Sequence, residues 1–179
     1  RFPTPQPGAI SNARVAQYRL LQRRIGTTRN VIVTPRPYGI DNRVTVDAIA
    51  QFGINARRVA VVHPEITDAE LKRLDAGGIR GIRFSIGGSS TTPGVTTVGM
   101  IEPLAKRVNA LGWHVQTNMD AEQIAAAGDL WNRVASAIVF DHMGVQSALL
   151  DGTKHPAFTI IRRLIDKGRT WVKLSVGTS

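Results

Sequence analysis

The chain has 179 residues, carries 23 Lys and Arg against 13 Asp and Glu for a net charge of +10, and is 42% hydrophobic. That is enough apolar material for a real core and too much for a disordered chain, and no apolar stretch reaches the roughly 20 residues that span a bilayer. It has no Cys, which excludes disulfide frameworks, thiolate metal sites and cysteine nucleophiles.

The chain opens on Arg1, with neither an initiator Met nor a signal-like apolar region, and is expected to be shorter than the folding unit it belongs to. Pro3, Pro5, Pro7 and Gly8 make residues 1–12 an extended lead-in. Val15, Tyr18, Leu21 and Ile25 recur at helical spacing over Ala13 to Ile25, and Gly26 closes that helix. Asn30 to Thr34 is a β-branched strand, halted by Pro35-Arg36-Pro37. Asp41 or Asn42 caps a helix that runs to Phe52.

The unit then repeats. Arg58 to Val62 is a strand, and Thr67-Asp68-Ala69-Glu70 is a capping box for a helix ending at Ala76. Arg80 to Ser85 is a strand, followed by a Gly-, Ser- and Thr-rich loop over Gly87 to Thr97. A helix spans Met100 to Ala110, a strand Trp113 to Thr117, a helix Asp120 to Trp131, and a strand Ser136 to Phe140. Pro156 opens a helix to Asp166, and Thr170 to Leu174 is the last strand. Six strands joined by helical crossovers predict a parallel α/β sheet in one domain over 1–179, either doubly wound or part of a barrel.

In both architectures function belongs at the carboxyl ends of the strands. Those ends are polar here. Gly81, Arg83 and Ser85 share one face of their strand, as do His114, Gln116 and Asn118 of the next, and Lys173 and Ser175 of the last. An outer face packs on helices and must be apolar, so the polar faces point inward, which favours the barrel. An inward Arg83 is costly unless it meets an anion or a buried carboxylate. Asp141-His142 ends another strand, and Thr34 and Tyr38 follow the first. Neither a phosphate-binding GxxxxGK[ST] nor a GxGxxG pattern occurs.

Several motifs then combine. They are Gly78-Ile79-Arg80-Gly81-Ile82-Arg83-Phe84, Leu111-Gly112-Trp113-His114-Val115-Gln116, Asp141-His142-Met143-Gly144, His155-Pro156-Ala157-Phe158 and Trp171-Val172-Lys173-Leu174-Ser175. Together with Tyr38-Gly39 and Asp41-Asn42 they resemble the lactone-hydrolysing branch of the amidohydrolase superfamily, over nearly the whole chain. The resemblance implies a (β/α)8 TIM barrel of which about six βα units are present, corresponding to the second through seventh strands. It implies a hydrolase of carboxylic acid metabolism that opens an anionic lactone by water attack on the ester carbonyl, with a lactone isomerase as an alternative. It casts His142 as the group polarising the carbonyl and Arg83 as the holder of a substrate carboxylate, with Thr34 and Tyr38 lining the same pocket. Gln116, Asn118 and Ser175, from the inward faces, complete the expected substrate-binding set. The branch's His-x-His of strand one and Asp of strand eight have no match in the chain. Asn118 stands where many amidohydrolases outside this branch place a metal-binding histidine, which argues against a two-metal site. No cofactor and no tightly bound metal is expected, a divalent metal such as zinc being left open but unsupported by the residues present.

The expected partner is a small anionic lactone or carboxylate, in the cytoplasm, with self-association left open. The competing reading is a basic protein that binds nucleic acid or another polyanion. Arg19, Arg23, Arg24, Lys72, Arg73, Lys106, Arg107, Arg162 and Arg163 are spread over separate helices with no recognition motif among them, which reads as solvated helix faces.

Overall fold

The computed structural model describes residues 14–86, 96–144 and 152–175. The lead-in, most of the loop expected over 87–97, and residues 176–179 lie outside them. The strands are β1 (Asn30–Val33), β2 (Ala56–Ala60), β3 (Ile79–Ser85), β4 (His114–Asn118), β5 (Ile138–Phe140) and β6 (Thr170–Val172). Helix α1 (Val15–Ile25) precedes them. Between them run α2 (Arg43–Phe52), α3 (Asp68–Ala76), α4 (Ile101–Asn109), α5 (Ala121–Ala126), α6 (Leu130–Arg133) and α7 (Pro156–Asp166).

All neighbouring strands are parallel, and their order is β1-β2-β3-β4-β5-β6. A doubly wound sheet reverses its strand order at a switch point; this one does not. With right-handed crossovers, a sequential order puts every helix on the same face of the sheet, which is the wall of a barrel. The core obeys this one-sidedness. Ile82, Phe84, Val115, Ile138 and Phe140 are buried with Leu104 and Val108 of α4, Ile124 of α5 and Ile161 and Leu164 of α7. On the opposite face the register lines up Arg83, Gln116, Val139 and Trp171.

Local chemistry sets the element ends. Thr67 accepts from the Glu70 N–H at the start of α3, but the Glu70 carboxylate pairs with Arg73 instead of reaching back, so the capping box is half formed. At α5 the box is complete, with Asp120 accepting from Gln123 N–H and the Gln123 side chain returning to Asp120 N–H. His155 caps α7 ahead of Pro156: its Nδ1 accepts from Ala157 N–H, so its Nε2 carries the proton donated to Glu122.

Several boundaries differ from the periodicity. The second strand spans Ala56–Ala60, two residues earlier than expected, because the Asn42 side chain takes both backbone groups of Val61 and ends the ladder there. Asn42 accordingly gives α2 no side-chain cap. The helix expected over Asp120 to Trp131 is two, α5 and α6, interrupted at Gly128, whose lack of a side chain disfavours helix. Trp131 Nε1–H donates to Ile124 O across the break. The last strand stops at Val172 because Lys173 O accepts from Met143 N–H, a residue of the loop beyond β5.

Candidate active site

A cavity of about 290 Å³ opens at the carboxyl ends of β1, β3, β4, β5 and β6. Its floor is an ion-pair network. The Asp141 carboxylate, with a side chain only 3% exposed, accepts from Arg83 Nε at 2.8 Å and lies 3.2 Å from Lys173 Nζ. Gln116 joins them. Its Nε2 donates to Asp141 Oδ2 at 2.9 Å and its Oε1 accepts from Lys173 Nζ at 2.7 Å, which fixes the orientation of the amide. Two cations therefore share one carboxylate. A buried carboxylate without such partners would be costly, and either cation left alone there would be too.

His142 sits over this network because the chain turns sharply after β5. His142 and Met143 both have positive φ, 50° and 59°, and Gly144 follows at 76°. Left-handed conformations cost a non-glycine residue about 1–3 kcal/mol, so the turn has to be held in place. Met143 N–H donates to Lys173 O and Gly144 N–H to Asp141 O. Gly144 is favoured by its positive φ; a β-carbon there would also press on the tip of Ile161, 2.6 Å from Cδ1, which would have to shift. The turn leaves His142 exposed above the cavity, with Nδ1 3.4 Å from Ser175 Oγ.

Beneath, His114 lies across Gly81, where a β-carbon would fall 2.4 Å from the ring. Burial holds the His114 pKa below its ordinary 6.5; a backbone hydrogen bond at Arg80 opposes this, the Lys173 charge reinforces it and the Asp141 charge counters it.

Of the residues expected at a site, Arg83, Gln116, His142, Ser175 and Thr34 line this cavity. The Thr34 hydroxyl, however, donates to Asn42 and pairs with Thr45, so its hydrogen-bonding capacity is turned toward α2. Tyr38 and Asn118 are not among the lining residues. Tyr38 belongs to a 3-10 turn over Arg36–Tyr38, and Asn118 lies beside Ser85 at the end of β4, its carbonyl accepting from Ile86 N–H. Asp141 and Lys173 were not among the expected site residues. Their signals were present, an Asp directly before the strand-end His and a Lys on the same face as Ser175, but a carboxylate bonded to an arginine 58 positions away leaves no trace in periodicity.

Among the described residues no group of three or more His, Cys, Asp or Glu is placed to hold a metal ion, and the Asp141 oxygens already face Arg83, Gln116 and Lys173. These described residues do not fit a metal centre. No helix among the described residues is long and apolar enough to cross a membrane. Several surface arginines are engaged in pairs on different elements: Arg43 with Asp41, Arg73 with Glu70, Arg107 with Asp68 and Arg133 with Glu102.

Known proteins resemble this chain over most of its length. The chain is 32% identical over 165 residues to a 2-pyrone-4,6-dicarboxylate hydrolase of Comamonas testosteroni, covering 92% of this chain and 53% of that protein. It is 28% identical over 171 residues to a 4-sulfomuconolactone hydrolase of Rhizobium radiobacter, covering 95% and 56%. It superposes, with a TM-score of 0.78 and 26% identity, on the crystal structure of an inferred 2-pyrone-4,6-dicarboxylic acid hydrolase of Pseudomonas putida, over 96% of this chain and 62% of that one. The chain thus spans about half the length of the curated relatives it matches, and its six strands form part of a TIM barrel. The model of the amidohydrolase family described as Amidohydro_2 matches residues 2–179, and the chain belongs to that family.

Proposed function

We propose that this chain supplies the substrate-binding wall of a hydrolase that opens an anionic lactone. The observation that carries this reading is a cavity with two cations at its floor and a histidine held above them by a strained turn. Arg83 holds a substrate carboxylate. His142 donates a hydrogen bond to the lactone carbonyl oxygen as negative charge develops there, the role of an oxyanion-stabilising donor. Water adds to the carbonyl carbon, the ring C–O bond breaks, and the products are a carboxylate and a hydroxyl group. Binding and polarisation belong to the cavity residues; activation of the water belongs to a group outside them. The relatives named for 2-pyrone-4,6-dicarboxylate and 4-sulfomuconolactone support an acidic lactone as the substrate class.

The test is loss of lactone absorbance with the intact protein, using those two compounds. His142→Asn is expected to lower kcat by about 100-fold or more while leaving KM nearly unchanged, as for removal of one oxyanion donor. Failure of the wild type to open either ring at any pH, with or without added divalent metal, overturns the reading.

A further inference from the structure

We infer that Lys173 and Arg83 together form a seat for one carboxylate or sulfonate of the substrate, with Asp141 as the positioning residue that fixes both cations. The inference rests on the lactone reading of the same cavity. Lys173 is the wet member of the network, its side chain 37% exposed against 11% for Arg83 and 3% for Asp141. A neutral pair of Arg83 and Asp141 would already satisfy the buried carboxylate. The second cation adds one net positive charge at the cavity floor, where a solvated anion can reach it.

The geometry also prepares both cations in advance. An ammonium has three N–H donors; Gln116 Oε1 accepts one from Lys173, and the Asp141 carboxylate holds the charge by an ion pair at 3.2 Å. Asp141 takes the Nε edge of Arg83, and the rest of a guanidinium is a fork suited to an oxyanion. Gln116, 1% exposed, locks the separation by bonding to Lys173 and Asp141 at once. An anion entering the cavity meets donors whose side chains are already ordered, and this lowers the entropy cost of binding.

The experiment is calorimetric titration of the intact protein with isophthalate, a rigid dicarboxylate with no ester to open, alongside kinetics on 2-pyrone-4,6-dicarboxylate. Lys173→Met is expected to weaken isophthalate binding roughly 10- to 100-fold and to raise KM comparably with kcat within about threefold, in line with a lost hydrogen bond to a charged group. Lys173→Arg is expected to recover most of the affinity. Asp141→Asn separates positioning from simple charge: it adds positive charge yet is expected to weaken binding, because the cations lose their clamp. Should that variant fail to fold, Gln116→Leu, which removes one tether from Lys173, is expected to give a smaller loss of the same sign. No isophthalate binding by the wild type, unchanged binding in Lys173→Met, or tighter binding in Asp141→Asn overturns the inference. Isophthalate binding that behaves as expected in a protein that turns over no lactone overturns the proposed function and leaves the seat standing. Turnover with an unchanged KM in Lys173→Met does the reverse.

Discussion

Arg58 carries a guanidinium into the protein at 3% exposure with neither Nε nor Nη1 hydrogen-bonded, and burial pushes its pKa down to about 10. It lies where a bulge separates the registers of Arg58 and Val59 against β3. Its Nη1 would be 3.6 Å from a β-carbon at Gly77, beside the last carbonyls of α3, whose partial negative charge offsets some of the cost. Arg83 and Lys173, by contrast, have a carboxylate. Arg58→Met keeps the stem packed and removes the unsatisfied nitrogens, so it is expected to raise unfolding stability by on the order of 1 kcal/mol, read as a higher urea midpoint at constant slope. A lower midpoint would show that the α3 carbonyls compensate the charge fully. At this scale the sequence was legible where a residue's face decides which side of the sheet it occupies, as for Arg83 and Gln116, which line the cavity. It placed Asp141 at a strand end and Lys173 on an inward face but did not pair either with Arg83, since those contacts exist only in the assembled sheet. Tyr38 and Asn118 show the converse, since standing near a strand end does not by itself bring a side chain to the cavity.

Strand pairing has its own consequences. β3 and β4 meet with Gly81 opposite His114, and the missing side chain is the space the ring occupies. His114 has a folded-state pKa below 6.5, so between that depressed value and 6.5 the unfolded chain binds more protons. Stability is therefore unaffected by this group above about 6.5 and falls as the pH drops through the window below it. Thermal midpoints measured from neutral to mildly acidic pH are expected to fall less steeply in His114→Gln than in the wild type; parallel curves would refute the assignment. Most elements were legible because apolar periodicity and Gly or Pro punctuation coincide, as at Gly26 and Pro156. Boundaries failed where a group from outside the ladder intervened: the Asn42 side chain cut β2 short at Ala60, and the Met143 backbone N–H, in the left-handed turn, ended β6 at Val172.

For the whole molecule, β1 and β6 each pair on one side only among the described residues and form the margins of the sheet. Val31 on β1 is 58% exposed and Trp171 on β6 is 56% exposed. Unpaired edges with apolar side chains invite pairing with other chains. The 179-residue chain alone is expected to self-associate with rising concentration in sedimentation velocity, and Val31→Lys with Trp171→Lys to suppress it. A monomer at every concentration would show that the edges are covered. The inward polar faces favoured the barrel over a doubly wound sheet, because a wall with helices on one side leaves its other face free to carry them. Among the described residues these margins are the first and last strands in chain order, because the sheet order repeats the sequence order. During synthesis, each strand therefore emerges when its neighbour is already available, and no pairing waits for a distant segment. The wall can be laid down from β1 toward β6 one unit at a time, and a further βα unit can join at either margin without breaking an existing ladder.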